Sequence, residues 1–501
     1  MKNAIRVVIA LSGGVDSAVT ALFLSHCVHT SHDIAALQAE STAPPPLATV
    51  LDAIHTSTPW SVVAKAKSSQ QIDFPVPVAY RSVHMRNWND QDSNWCQTSV
   101  GEFNDAQDVA HSLGLLPTER RLTVLDFSAE YAERCFQPML QSYQKGRTLN
   151  VDVLCNSEIK FGALLERVRR PPYSADYIAT GHYARVVRRH GLAQLASPFS
   201  ALKDLNDQTV FLSRVPSFAA ALFPLGHLFH SKEEVRRAAA ECGGPVLQRL
   251  ASKKTSTGLC FVGKVREKGA AVSTCSAVSA TPTFATFLSE YIAPPSTVGA
   301  KRCRFFMLER DEEIKRQHLK WGRSSDGAER ELFEKDYGVG CIPSFALTVG
   351  QRVVWEEVIG KKRRVHTCYV AKKVPHDDEE VGEVALLKEV YLAPTWNHPS
   401  FYTTTIAVTS VHLHVPIGAL DVKEHDQYKT LSCYCVCRHQ DARVPCELQW
   451  RVSAETSGRE IEKATVLVQV PLRAVAPGQL AVLYASADLV SSVVWGSGWI
   501  A

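Results

Sequence analysis

The most constraining stretch of the chain is its first. Val7-Val8-Ile9-Ala10-Leu11 is a short apolar run, read as a buried parallel strand, and Ser12-Gly13-Gly14-Val15-Asp16-Ser17 follows at once. Ala18, Val19, Ala21, Leu22 and Leu24 then recur at helical spacing. Strand, glycine loop and helix in direct succession leave few folds open. In open α/β sheets ligands sit at the carboxyl ends of strands, which is where this loop falls. Two adjacent glycines let backbone N–H groups turn towards an anion. Ser12 and Ser17 add hydroxyl donors, and the helix N-terminus adds partial positive charge. Asp16 is suited to help hold Mg²⁺. No lysine stands where a Walker A loop carries one, so a P-loop NTPase is excluded.

The pattern continues as α/β. A strand is expected at about 76–85, a helix ending at Leu113-Gly114, a strand at about 122–127 and a helix at about 130–144. Tyr177-Ile178-Ala179 then reads as a strand ending in the loop Thr180-Gly181-His182-Tyr183. This alternation predicts a doubly wound parallel sheet over residues 1–215, interrupted by a low-complexity insertion at about 27–73. Residues 216–282 read as a helical connector, in which Ser231 caps a helix from Lys232 to Cys242 and Gly243-Gly244 ends it. Residues 283–395 read as a central β domain, and 396–501 as a C-terminal antiparallel β-barrel. Further insertions are expected at about 265–282 and 310–335. A length of 501 residues fits about three domains.

Composition narrows the function classes. Hydrophobic residues make up 45% and charged residues 21%, an ordinary globular balance. No apolar run approaches the roughly 18 residues of a membrane span, so no membrane partner is expected. A net charge of +4 is too small to announce a nucleic-acid surface, which must be local. Local clusters exist: Arg167, Arg169 and Arg170; Arg185, Arg188 and Arg189; and Lys361-Lys362-Arg363-Arg364. Such clusters suit a phosphate backbone, or simply a solvated face. The strand pattern begins almost at once, with no secretory leader before it, so the 14 cysteines are expected to be reduced and mostly to pack as small hydrophobes. Cys433, Cys435 and Cys437 alternate onto one strand face, and the chain has no C-x-x-C pair, which speaks against a metal site.

Ser12-Gly13-Gly14-Val15-Asp16-Ser17 resembles the loop of the PP-loop ATP pyrophosphatases, which cleave ATP between the α and β phosphates. Two further stretches are more selective: Asn150-Val151-Asp152-Val153-Leu154-Cys155-Asn156 with Ile159-Lys160-Phe161, and Ser256-Thr257-Gly258-Leu259-Cys260-Phe261-Val262-Gly263. Together they resemble the paired-cysteine motifs of the tRNA-specific 2-thiouridylase family, bacterial or mitochondrial. Asn87-Trp88, Gly146-Arg147-Thr148, Leu222-Phe223-Pro224-Leu225-Gly226, Thr348-Val349-Gly350-Gln351-Arg352 and Pro477-Gly478-Gln479 follow the same family order. Val151 and Thr255 depart from it, where the family carries Pro and Asp; neither change removes a reacting atom.

The resemblance implies an enzyme that uses ATP with Mg²⁺ to adenylate O2 of the wobble uridine of tRNA and replaces that oxygen with sulfur. It implies Cys260 as the persulfide carrier, Cys155 as the attacking thiol and Asp152 as acid or base. It places ATP against Ala10, Leu11, Ser12, Gly13, Gly14, Val15, Asp16, Ser17, Met85 and Gly181. It places tRNA against Asn150, Val151, Asp152, His182, Asn206, Asp207, Gln208, Arg438 and Gln479. A persulfide donor, either a cysteine desulfurase or a relay protein, is the expected protein partner, and the chain is expected to act as a monomer. The mitochondrial matrix is the favoured compartment, with the cytoplasm as the alternative. Competing readings are another PP-loop adenylating enzyme, such as a lysidine synthase, which would need neither cysteine, and a tRNA-binding protein that has lost catalysis.

Overall fold

The structure is a computed structural model that describes residues 5–25, 78–88, 99–117, 119–189, 191–198, 207–253, 284–292, 303–308, 329–335, 344–359, 362–375, 387–452, 456–488 and 492–501. Cys260 and Asn206, and the sequence insertions at 27–73 and 265–282, lie outside these residues.

The expected opening unit is present. Strand β1 (Ile5–Ala10) leads into helix α1 (Val15–Ser25). Then come β2 (Val78–Arg86), helix α2 (Ser99–Ser112), β3 (Thr123–Asp126), β4 (Tyr177–Ala179), the hairpin β5 (Arg185–Arg189) and β6 (Leu192–Ala196), and β7 (Ala221–Leu222). Five strands form one all-parallel sheet in the order β3-β2-β1-β4-β7. Because β2 and β4 flank β1 on opposite sides, the order reverses between β1 and β4. The carboxyl ends of those two strands therefore open a crevice.

Side-chain alternation explains why both faces are covered. Ile5, Val7 and Ile9 point to one face, into a core with α1 and α2; Val8 points to the other. Ala179 and Ile178 of β4 divide in the same way. The first face is closed by α1, α2 and two further helices, α4 (Lys232–Cys242) and α5 (Gly244–Ser252). Residues 216–253 thus do not merely join domains; Val235, Ala238, Leu247 and Leu250 complete the sheet's own core. Asp105 of α2 accepts from Arg249 of α5 at 2.6 Å and from Lys253 at 2.7 Å. Burial alone would push this carboxyl up, but the two cations more than offset it and hold its pKa down.

The second face is covered by two long helical runs. The first passes from Ser128–Tyr131 through a π-helical turn, Ala132–Phe136, to Gln137–Gln144. The second comprises helix α3 (Val151–Leu154), the π-helix Cys155–Ala163 and the helix Leu164–Arg169. Helix α6 (Phe284–Tyr291) also packs here: Phe287 and Leu288 are fully buried beside Phe136 and Tyr143. No helix is expected there from the sequence, which has the central β domain starting at 283; the helix's apolar face packs into the sheet's second core.

The central β region differs from expectation in another way. Strands β8 (Cys303–Leu308), β9 (Glu329–Lys335), β10 (Arg352–Ile359), β11 (Lys362–Pro375) and β12 (Leu387–Ala393) form a sheet ordered β10-β11-β12-β8-β9. Its β12 and β8 run parallel, so the sheet is mixed. Strand β9 falls within the stretch assigned to a charged insertion; it pairs antiparallel with β8, from Cys303 opposite Lys335.

The C-terminal part closes as expected. Strands β13 (Tyr402–Leu413), β15 (Tyr428–Val436), β16 (Val444–Arg451), β18 (Glu460–Arg473), β19 (Leu480–Tyr484) and β20 (Val494–Ile500) pair in a ring, β13 meeting both β18 and β20. Short β14 (Val422–Glu424) and β17 (Thr456–Ser457) add to its rim. Cys433, Cys435, Cys437 and Cys446 all point into this barrel, with 3.5 Å between the sulfurs of Cys433 and Cys446. These thiols fill a core, as the strand alternation predicts.

Replacing Phe287 by Ala should cost about 3–5 kcal/mol if α6 belongs to the sheet's core. A urea midpoint unchanged from wild type would show that α6 is only loosely docked.

Candidate nucleotide and sulfur site

The loop after β1 is built by its own hydroxyls. Ser17 Oγ donates to the Gly14 carbonyl at 3.0 Å and accepts from the Ser12 amide at 3.2 Å. The Gly14 amide lies 3.3 Å from Ser12 Oγ. Gly13 has φ +79°, and a Cβ there would lie 2.2 Å from the Glu102 carbonyl of α2. The loop is thus shaped from within and pinned from outside. The loop opens a helix N-terminus, where backbone N–H groups and the helix dipole favour an anion; the Ser12 and Gly14 amides themselves are engaged by hydroxyls of the loop.

The end of β4 meets this loop. A Cβ on Gly181 would lie 2.7 Å from the Asp16 carbonyl carbon and 2.8 Å from the Ser17 nitrogen, so only glycine lets the two loops touch. Tyr183, two residues on, donates its hydroxyl to Asp16 Oδ1 at 2.6 Å. Lys232, at the start of α4, reaches Asp16 Oδ2 at 3.4 Å. Burial and the Asp16 charge push the Tyr183 phenol far up, so it stays a proton donor at any ordinary pH. Neither Tyr183 nor Lys232 was singled out in the sequence. Tyr183 stands inside a quoted motif, but Lys232 is separated from Asp16 by 216 positions and had no signal beyond its capped helix.

Cys155 begins the π-helix. Its sulfur is buried and receives the Asn87 side-chain amide at 3.9 Å. Asn87 directly follows β2, the neighbour of β1, so Cys155 stands at the same sheet edge as the glycine loop. Asn150 caps this helical run, accepting from the Asp152 amide at 2.9 Å. Asp152, Asn156 and Lys160 fall four residues apart along one helical face, and Lys160 Nζ donates to Asn156 Oδ1 at 3.0 Å. Burial pushes the Asp152 carboxyl above its ordinary range, and the Lys160 charge partly offsets this. A raised carboxyl is what a proton-transfer role near neutral pH requires. A π-helical stretch beside a reactive group is a recurrent feature of functional sites. Burial pushes the thiols of Cys303 and Cys368 up to about 12, as suits thiols that only pack.

The remaining residues named from sequence are placed as follows in the fold. Ala10, Leu11 and Val15 line the loop's base; Leu11 and Val15 are buried, and the Leu11 amide bonds to Val83. Met85 is partly buried near the end of β2. His182 is buried between Phe161 and Phe223 and shares a 2.7 Å hydrogen bond with Thr180. Burial and the nearby Lys160 push its pKa well down, so it is neutral at pH 7.

Gln208 is a brace: its amide group accepts from the Tyr183 backbone at 2.9 Å, and its own N–H donates back at 3.0 Å. Asp207 accepts from Thr209 and pairs with Arg443 at 3.5 Å, joining the barrel to the sheet domain. Val151 is buried in the second core. Arg438 donates to the carbonyls of Arg473 and Ala474. Gln479 lies in the turn Pro477-Gly478-Gln479, whose Pro477 carbonyl accepts from Thr148 at 2.8 Å. Thr148 also donates to Thr348 at 3.3 Å. Three motifs that are remote in sequence therefore meet at residue 148.

A parallel sheet with a nucleotide-type loop at its switch point, joined to a six-stranded barrel, defines the class of protein. The profile of a family described as "tRNA methyl transferase HUP domain" matches residues 63–264, and one described as "Aminomethyltransferase beta-barrel domain" matches 419–500. Among curated proteins, the chain is 29% identical to the tRNA-specific 2-thiouridylase MnmA of Enterococcus faecalis over 96% of its length and 92% of that protein. Identity to the protein of the same name from Leptothrix cholodnii is 38%, covering 52% of each chain. For the Bacillus licheniformis protein it is 29% over 80% of this chain and 84% of the relative. Against several relatives, then, the matched stretch spans about half of the relative's length. The chain belongs to the tRNA-specific 2-thiouridylase family.

The raised Asp152 pKa carries a sign. A carboxyl that ionises less readily folded than unfolded lowers stability as pH rises above the ordinary carboxyl range, and the penalty is complete once pH exceeds the raised, folded-state pKa. Asp152→Asn should therefore leave the melting temperature at pH 7 unchanged or raised, and the gain should vanish near pH 3. A clear drop at pH 7 would mean that the ionised carboxylate stabilises the fold.

Proposed function

We propose that the protein is an ATP-dependent tRNA 2-thiouridylase acting on the wobble uridine. One observation carries the reading: the glycine loop and Cys155 share one sheet edge, the first after β1, the second held by Asn87 after β2. A uracil C2 carbonyl is unreactive until its oxygen becomes a leaving group. Attack of O2 on the α-phosphorus of ATP forms the O–P bond and releases pyrophosphate, whose charge suits the Ser12–Ser17 cradle. Mg²⁺, when bound, supplies charge neutralisation at the phosphates, and Asp16 is the carboxylate placed to help hold it.

Sulfur then replaces AMP. Cys260 carries it as a persulfide delivered by a donor protein, a cysteine desulfurase or a relay. The Cys155 thiolate attacks Cys260 Sγ, forming a Cys155–Cys260 disulfide. The outer sulfur leaves with the electron pair, either as free sulfide or already bonded to C2. A thiol reductant afterwards returns both cysteines to thiols. Asp152, whose carboxyl holds its proton more tightly than usual, is the proposed acid or base of this exchange. Asn150, Val151, His182, Asn206, Asp207, Gln208, Arg438 and Gln479 are the proposed tRNA contacts, with Arg438 and the Arg167, Arg169 and Arg170 cluster the cationic ones. His182, being buried and neutral, would contribute shape rather than charge. Among the described residues no helix is long and apolar enough to cross a membrane. The mitochondrial matrix is the proposed compartment and the cytoplasm the alternative; mass spectrometry of tRNA from each after depletion distinguishes them.

In a thiolation assay with tRNA, ATP and a persulfide donor, Cys155→Ser and Cys260→Ser should each abolish 2-thiouridine. Both variants should keep ATP–pyrophosphate exchange. Normal thiolation by either variant, or no exchange by the wild type, would sink this function.

A further inference from the structure

We propose that Trp396 is a stacking platform for an unpaired base of the bound tRNA, at the junction of the central sheet and the barrel. This rests on the tRNA reading above. Trp396 stands in the loop between β12 and β13 and is 57% exposed. One side of its ring is taken: the Arg473 guanidinium lies over it, 5.3 Å from the centre, and the same group lies 4.8 Å from the centre of the buried Phe401 ring. Arg473 Nε also donates to the Trp396 carbonyl at 2.8 Å, which ties the loop to the cation. Phe401, Arg473 and Trp396 thus form a layered stack, and its outermost member has one face against the cation and the other open to solvent. Tyr402, 41% exposed, stands opposite Arg473 in the pairing of β13 with β18 and so lies on the same side of the sheet.

The charge beside the stack selects the occupant. A Cβ placed on Gly350 would lie 3.8 Å from Arg473 Nη1 and 3.9 Å from Arg438 Nη2, so the two guanidinium groups converge on one place. Among the described residues neither is ion-paired with a carboxylate; they donate to the carbonyls of Trp396, Arg473 and Ala474. Two cations without counter-ions beside an open indole match a nucleotide, whose base offers a π-face whatever its identity and whose phosphate carries the charge. An apolar protein segment would use the ring and leave both cations unmatched. The patch is continuous with the proposed tRNA contacts. Arg438 belongs to both, and the Pro477 carbonyl, just after β18, holds the Thr148 amide two residues before the Asn150 cap of the Cys155 helix. Trp396 lies outside the sheet edge that carries the glycine loop and Cys155, so the base it takes is a second nucleotide rather than the target uridine.

The test is binding of a labelled, unmodified tRNA transcript with uridine at the wobble position to the full chain and to its Trp396→Ala, Trp396→Leu and Trp396→Phe variants, over a range of salt. Trp396→Ala and Trp396→Leu should each weaken binding about fivefold or more. Trp396→Phe should recover most of the loss, because a phenyl ring still stacks on a base and a leucine does not. The slope of affinity against salt should stay as in the wild type, since stacking releases no counter-ions, whereas Arg438→Gln should make it shallower. Unchanged tRNA affinity in Trp396→Ala overturns the assignment and leaves the patch to a protein partner. Equal affinities of the leucine and phenylalanine variants also overturn it, because the contact would then be apolar only. So does a loss of ATP affinity in parallel with that for tRNA, which would mark Trp396 as structural. A wild-type protein that binds no tRNA would instead remove the function proposed above, and this inference with it.

Discussion

The approach of Gly181 to the backbone of Asp16 and Ser17 is the contact on which the site depends. A side chain at 181 would stand within 2.8 Å of main-chain atoms that belong to a helix start and cannot yield. With none there, the ends of β1 and β4 touch, Tyr183 reaches Asp16, and the crevice at the strand-order reversal acquires a floor. Forcing the loops apart would break a 2.6 Å hydrogen bond to a carboxylate, a stronger interaction than one between neutral groups. The energetic weight of the domain lies elsewhere, in the two apolar faces divided by Val7, Val8 and Ile9. Packing therefore holds the sheet, and the glycine contact decides what the sheet presents.

What could be read from sequence follows from how local each signal is. The β1 loop and α1 were legible because strand, glycine pair and helix are contiguous, and each residue's preference agrees with its place. The barrel was legible because alternation marks inward positions, Cys433, Cys435 and Cys437 among them. The parallel pairing of β8 with β12 was not, because nothing in Cys303–Leu308 names its partner across intervening chain. Helix α6 was not read from the sequence at all: eight residues give too short a periodic signal to stand apart from the strands that follow. The π-helix from Cys155 was equally hidden, since a change of helical pitch needs tertiary context rather than composition.

The sheet domain and the barrel meet through polar residues at the rim and apolar ones beneath. Phe161, Phe218 and Phe223 share a core with Val436, Val482 and Tyr484. Above it, Arg443 lies 4.0 Å from the centre of the Tyr484 ring and pairs with Asp207. His439 adds a 2.9 Å bond to the Asp207 carbonyl. The Asp207-Gln208 segment therefore touches the barrel with one residue and Tyr183 with the next. This segment thus joins the barrel to the residue that orients Asp16 through two adjacent positions.

The charges around the crevice form two matched sets. Asp16 is paired with Lys232, and Asp152 feels Lys160, which also touches Asn156. Each carboxylate is in the first turn of a helix, where negative charge is favoured; Lys232 reaches Asp16 from another helix, while Lys160 acts on Asp152 only through its charge. Solitary carboxylates in such a cleft would raise the local negative potential and oppose both ATP and RNA. The Lys232 and Lys160 charges offset that potential, the first by an ion pair and the second at longer range. With a net charge of only +4 on the whole chain, the potential at the crevice is set by these local pairs rather than by the overall balance.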